Sequence, residues 1–131
     1  MVDFKQKEQY DFNDLLRIME ILRAPDGCMW DREQDHHSLR RNFIEETYEV
    51  CEAIDEDDTE HMKEELGDVL LQVVFHAVME EEQEHFTPDD VVDGVAQKLV
   101  FRHAHVVGTA EATDSAQALE GWEAQKKQEK G

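Results

Sequence analysis

Apolar residues in this chain recur at helical spacing almost from end to end, and no stretch of four or more alternates with the period of two expected of a half-buried strand. The pattern predicts an all-α protein. A first helix covers about residues 12–22, with Leu15, Leu16, Met19 and Leu22 on one face, and stops at RAPDGCMWD, where Pro25 and Gly27 break the period. A second begins near Ser38, carries Leu39, Phe43, Ile44, Val50, Cys51 and Ile54, and ends in the acidic turn DEDD. A third starts near Asp58 or Thr59 and runs to about Glu84 with Gly67 as its one glycine. In TPDD, Thr87 is placed as an N-cap, Pro88 at the first helical position and Asp90 three residues on, which opens a fourth helix reaching about His103. After a loop containing Gly108, Asp114 with Gln117 three residues later opens a last helix through Trp122 toward a polar tail.

The third helix is apolar on most sides. Leu66, Val69, Leu70, Val73, Val74 and Ala77 form one stripe, and Leu71, Phe75 and Val78 extend it around the cylinder. Such a helix is central to a bundle or to an interface between copies, so the polar stripe left on it, Glu65, Asp68, Gln72 and His76, is expected to face an interior groove. On the second helix Glu46 and Glu49 lie one turn apart at the edge of the apolar face of Phe43, Val50 and Ile54. Packing the two helices together brings four carboxylates to one point.

Composition narrows what those acids can be doing. The chain has 131 residues and a formal charge of -20, enough for one domain with a real core over residues 1–131. That charge repels nucleic-acid backbones and anionic membranes, and a small anionic ligand needs a cation to bind. MVDFKQKEQY shows no apolar run behind a basic start, and the longest apolar run, around residues 69–75, is far short of the roughly 20 residues of a membrane span. Cys28 and Cys51 are isolated and form no CxxC pair, the usage of a reducing cytosol, with both read as inert thiols.

Four unpaired anions in one groove repel one another, and desolvation drives some to take up protons. A divalent cation removes both costs. Oxygen-only ligands favour a hard ion, Mg²⁺ first and Mn²⁺ next, and Mg²⁺ held by a few carboxylates with waters suits phosphate chemistry. The competing reading is that ExxE and ExxD pairs are solvated faces of an acidic protein. Glu82 and His85 form an ExxH pair, but a di-iron bundle needs two such motifs and two further glutamates.

The ordered set EETYE, EELGD, LRAPDGCMWDREQ, LLQVVFHAVMEE, KLVFRHAHVVG and WEAQKK, spanning residues 22–127, resembles the MazG branch of the all-α nucleoside triphosphate pyrophosphohydrolases. The resemblance implies hydrolysis of a nucleoside triphosphate between the α and β phosphates at Mg²⁺ ions held by carboxylates. Carried over motif by motif, Glu46, Glu49, Glu65 and Asp68 are the metal ligands, and Glu45 supports them or orients the attacking water. Lys98 and Arg102, one turn apart, and Trp122 and Lys126, at the same spacing on the last helix, are similar to the family's phosphate and aromatic contacts; Trp30 is either a base-stacking ring or a plug in the core. Where many MazG proteins have proline, this chain has Met29 and Ala104, which loosens two loops. A domain that binds Mg²⁺ and nucleotide without turnover is the alternative. The nearly all-round apolar third helix predicts a homodimer or larger helical assembly.

Overall fold

Seven helices and no strand run through the described residues, 4–107 and 115–130, of the computed structural model. They are α1 (Phe12–Arg23), α2 (Met29–Glu33), α3 (His36–Asp55), α4 (Thr59–Glu82), α5 (Pro88–Arg102), α6 (Ala104–Val107) and α7 (Ser115–Lys130). The chain divides into two compact units, Met1–Pro88 and Asp89–Gly131.

The helix boundaries in the first unit follow from capping chemistry. Asp11 accepts a hydrogen bond from the Asp14 amide at 2.9 Å, and Asp14 accepts one in return from the Asp11 amide at 2.9 Å, a reciprocal box that satisfies two of the free donors of the first turn of α1. α3 begins two residues before the expected Ser38. The serine is not the cap but the third residue of a box: Asp35 accepts from the Ser38 amide at 2.7 Å and Ser38 Oγ accepts from the Asp35 amide at 2.9 Å. Asp58 caps α4 by accepting from the His61 amide at 3.1 Å.

Both long helices end in left-handed residues that are not glycine. Asp57 (φ 52°) closes α3, with its amide on the Ile54 carbonyl and the Asp58 amide on the Ala53 carbonyl. Glu84 (φ 60°) closes α4 in the same way, with the His85 amide reaching back to the Glu80 carbonyl. Aspartate visits this region with some ease; glutamate has no such aptitude.

α3 and α4 form the main packed pair, and α1 lies against α4. The core they enclose consists of Met19, Leu39, Val74, Phe75, Val78 and Met79, with Leu15, Leu16 and Leu71 packed around it. Each such side chain contributes roughly 1.5–3 kcal/mol through burial. The inward face of α4 is therefore the Leu71, Val74, Phe75 and Val78 side. Leu66, Leu70 and Val73, expected in the central stripe, are 50%, 40% and 37% exposed in the single chain. One unit of this size has only enough partners to cover one apolar face of so uniformly apolar a helix.

The segment expected to be a loop, RAPDGCMWD, contains the one-and-a-half-turn helix α2, too short to show an apolar period. Arg23, at the end of α1, fixes it in place. Its guanidinium donates to Glu82 twice, at 2.6 and 2.8 Å, and to the carbonyls of Asp31 at 2.6 Å and Gln34 at 3.1 Å, while lying 5.6 Å from the Phe75 ring centre. Gly27 has no room for a side chain, since a Cβ there would stand 2.3 Å from the Leu22 carbonyl oxygen.

In the second unit α6 packs on α7. α5 exposes Val91, Val92, Val95, Leu99, Val100 and Phe101. Gly108, expected in a loop, and Asp114, expected to open the last helix, lie outside the described residues. No helix among the described residues is long and apolar enough to cross a membrane.

Candidate functional site

The turn between α3 and α4 sets which acids meet. Glu49 and Glu65 each stand eight residues from Asp57, and Glu46 and Asp68 each stand eleven residues from it, so folding the hairpin there places each pair at one level across the helix interface. Carboxylate oxygens of Glu46, Glu49 and Glu65 lie within 4.8 Å of one another. Asp68 stands close enough for its charge to act on both Glu46 and Glu65.

The electrostatics are those of acids held together against their repulsion. Glu65 is buried at 7% exposure, and a hydrogen bond shared with the Glu49 carboxyl, burial, and the charges of Glu49 and Asp68 raise its pKa to about 7. Glu46 is raised as well, first by desolvation and then by Glu49, Asp68 and Glu45. His61 Nε2, at 3.3 Å from Glu65 Oε1, works in the opposite direction. Despite this crowding, Glu46 Oε2 and Glu65 Oε2 are buried with no hydrogen-bond partner. A buried carboxylate oxygen without a partner is costly.

The donor set fits a hard divalent cation. Ligand oxygens at about 2.1 Å from Mg²⁺ stand up to about 4.2 Å apart, so three oxygens within 4.8 Å need only small side-chain adjustments to share one ion. Glu56, Asp58 and His61 form a second, more exposed group at the turn, where His61 also lies 3.5 Å from Glu56.

The remaining expected residues fall in different places. Glu45 does not join the cluster of three; it is exposed and paired to Arg41 at 3.0 Å, one turn back on α3. Trp30, on α2, is 54% exposed and sets its ring edge-on to Phe75 with centroids 6.5 Å apart, so one side packs and the other is open. In the second unit Arg102 and Lys126 both lie over the Trp122 ring, at 5.8 and 5.1 Å from its centre, an aromatic–cation cluster built from the end of α5 and the body of α7. Lys98 is exposed one turn before Arg102. The ExxH pair does not converge: Glu82 is bound by Arg23, and His85 Nδ1 meets Glu80 at 2.6 Å.

His36, expected to act in hydrogen bonding or helix-end capping rather than as a metal ligand, makes two side-chain contacts across the hairpin. His36 Nε2 lies 2.5 Å from Glu80 Oε1, and His36 Nδ1 lies 2.6 Å from His76 Nδ1. His76 and Glu80 continue the polar stripe of α4, a signal for their side of it. His36 stands at the first position of α3, and its hydrogen bonds agree with the expected role.

An α-helical hairpin that brings Glu46 and Glu49 from one long helix and Glu65 from the other to one point, with the charge of Asp68 close by, defines a class of candidate divalent-cation site. The MazG nucleotide pyrophosphohydrolase domain matches residues 34–107, more than half of the chain, and the chain belongs to that family. It is 52% identical over 120 residues to the nucleoside triphosphate pyrophosphohydrolase/pyrophosphatase MazG of Thermotoga maritima, covering 92% of this chain and 46% of that protein. It is 50% identical over 121 residues to YabN of Bacillus subtilis, covering 92% of this chain and 25% of that protein. Against the nucleoside triphosphate pyrophosphohydrolase of Escherichia coli K12, identity is 42% over 117 residues, 88% of this chain and 44% of the relative. The chain thus spans between a quarter and about half of the length of these relatives. The crystal structure of a MazG-related protein from Thermotoga maritima superposes with a TM-score of 0.72 at 23% identity, over 88% of this chain and 98% of that one, and shares the fold.

Proposed function

We propose that this domain hydrolyses nucleoside triphosphates, ribo- or deoxyribo-, to a monophosphate and pyrophosphate, with Mg²⁺ as the cation and Mn²⁺ as its substitute. The observation that carries the reading is the convergence of Glu46, Glu49 and Glu65, with Asp68 beside them, around two buried oxygens that have no partner. Family membership and the activities for which the Thermotoga and Escherichia relatives are named support it.

Glu46, Glu49, Glu65 and Asp68 would hold the ion. When bound, it neutralises phosphate charge and lowers the pKa of a water molecule. The chain's own contribution is to hold those acids together on two packed helices at a cost that an ion relieves, with the pKa values of Glu65 and Glu46 raised in its absence. Glu45, tied to Arg41, adds negative charge beside Glu46 without a ligand's placement. Arg102, Trp122 and Lys126 gather two cations on an aromatic face in the second unit, chemistry that suits a phosphate-bearing ligand, and Lys98 extends that positive stretch by a turn.

The test is incubation with a panel of NTPs and dNTPs with Mg²⁺, followed by assay of monophosphate and pyrophosphate. Release with at least one member, lost in Glu49→Ala, is the expected result. No release with any member, while Glu49→Ala still abolishes nucleotide binding, would leave a binding module in place of an enzyme.

A homodimer belongs to the same proposal. Leu66, Leu70 and Val73 form an exposed apolar strip on α4, and a second copy of the chain would cover it. Sedimentation equilibrium that returns a monomer at micromolar concentration would remove that part of the reading.

A further inference from the structure

The acid cluster has a neighbour that neither acidic motif contains. His61 stands one turn before Glu65 on α4, ahead of the EELGD segment, and residues at that spacing share a helix face. Its ring lies across the α3–α4 turn: Nε2 is 3.3 Å from Glu65 Oε1, and Nδ1 is 3.5 Å from Glu56 Oε2. Glu56 closes α3, with its amide on the Glu52 carbonyl at 3.0 Å. Asp58 pins the backbone of His61 by accepting from its amide at 3.1 Å. One imidazole therefore joins the end of the first long helix of the hairpin to a carboxylate of the cluster on the second.

Glu65 needs a partner of this kind. A glutamate side chain has several rotatable bonds and gives up much freedom when it is ordered. On its inner side stand Glu49 and Asp68, whose charges repel its own. An ion held by Glu49 and Glu65 together displaces the hydrogen bond the two share, so the direction in which Glu65 points must then be set from its other side. Carboxylates that bind a metal are themselves held by hydrogen bonds from groups behind them, and His61 is the donor placed to do so.

The ring suits the task. With a carboxylate oxygen beside each nitrogen, it has an acceptor for its N–H in either tautomer. With the proton on Nε2, the 3.3 Å separation from Glu65 shortens to the usual 2.9 Å or so with a small turn of either side chain. The His61 side chain is 31% exposed and that of Glu65 10%, so the ring stands at the edge of the buried cluster. Glu56, on the far nitrogen, opposes rotation of the ring away from Glu65.

The geometry points to His61 as a positioning residue for the cation site: its Nε2–H holds the Glu65 carboxylate in the direction that meets an ion shared with Glu46 and Glu49, and Glu56 steadies the ring. The inference rests on the proposed function and adds to it a residue that acts through Glu65 without touching the ion.

The experiment uses the full chain and Mn²⁺ alone, with free Mn²⁺ counted by its electron paramagnetic resonance signal. His61→Phe keeps a flat ring and loses both nitrogens, and is expected to weaken Mn²⁺ binding about tenfold. His61→Gln keeps an N–H donor of similar reach and is expected to stay within about threefold of the wild type. Glu56→Ala is expected to weaken binding about threefold in the wild type and distinctly less in His61→Phe, because part of its effect passes through the ring. Spin-echo modulation of the Mn²⁺-loaded chain, labelled with ¹⁵N at histidine, is expected to show no nitrogen bonded to the ion. His61→Phe that binds Mn²⁺ as the wild type does, while Glu49→Ala does not, overturns the positioning role and leaves the metal reading standing. A His61→Gln as weak as His61→Phe, or a nitrogen bonded to Mn²⁺, overturns it too. An equal effect of Glu56→Ala in both backgrounds overturns the part given to Glu56. A wild type that fails to bind Mn²⁺ overturns the metal reading and this inference together.

Discussion

Loading the acid cluster with a metal should release a proton, and the amount follows from Glu65. With its pKa at about 7, Glu65 is half protonated at neutral pH, and a coordinating carboxylate must give that proton up. At pH 6 binding then releases about 0.9 proton per ion, at pH 7 about 0.5 and at pH 8 about 0.1, and well below pH 7 the apparent affinity falls about tenfold per pH unit. Glu46, raised in the same direction, adds to the release at the acid end. The assay is isothermal titration with Mg²⁺ or Mn²⁺ in pairs of buffers that differ in ionisation enthalpy, which counts protons directly. Tight binding at pH 6 with no proton release would refute the reasoning, as would an unchanged release from Glu65→Gln.

The same shift has a consequence for the metal-free fold, with a definite sign. A carboxyl whose folded-state pKa lies above its unfolded value binds its proton more tightly when folded. Its stabilising contribution is complete below about pH 4.5 and is lost as pH rises through about 7. In EDTA, the wild-type protein should therefore lose thermal stability relative to Glu65→Gln between those pH values. Metal at about 100 times its dissociation constant should restore the wild type by about 2.7 kcal/mol and leave the variant far less changed.

Three further outcomes test the fold around the site. Leu39, 1% exposed at the centre of the core, should lose about 3 kcal/mol as Leu39→Ala in urea unfolding. Glu84→Gly relieves a left-handed glutamate at the end of α4 and should gain about 1 kcal/mol in the same assay. Arg23→Met leaves the carbonyls of Asp31 and Gln34 and the carboxylate of Glu82 without their donor, at about 2 kcal/mol and with increased proteolysis between α1 and α3.

The helical periods, the acidic turn and the polar stripe of α4 were all legible from spacing, because each is a property of one helix at a time. What spacing left open was the choice between faces on a helix apolar nearly all round. Leu66, Leu70 and Val73 read the same as Val74 and Val78, and only the packing of α1 and α3 against α4 separates the exposed set from the core. α2 was hidden by its length. The Arg23 anchor was hidden by sequence distance, since its partner Glu82 lies 59 residues away. The start of α3 was misplaced for a local reason: in DHHS either Asp35 or Ser38 can cap, and the reciprocal box with aspartate in front decides it.

The register of the acid cluster was available from the chain in a way that motif spacing alone does not use. ExxE and ExxD each describe one helix and say nothing of their height relative to each other. The turn at Asp57 supplies that relation: equal counts to Glu49 and Glu65, and again to Glu46 and Asp68, make the four acids opposite neighbours once the hairpin closes. Counting outward beyond the acids brings the start of α3 to the last turns of α4, where His36 meets His76 and Glu80. The cation site and the His36–His76 contact are thus successive levels of one hairpin. Their separation is set by the helical rise.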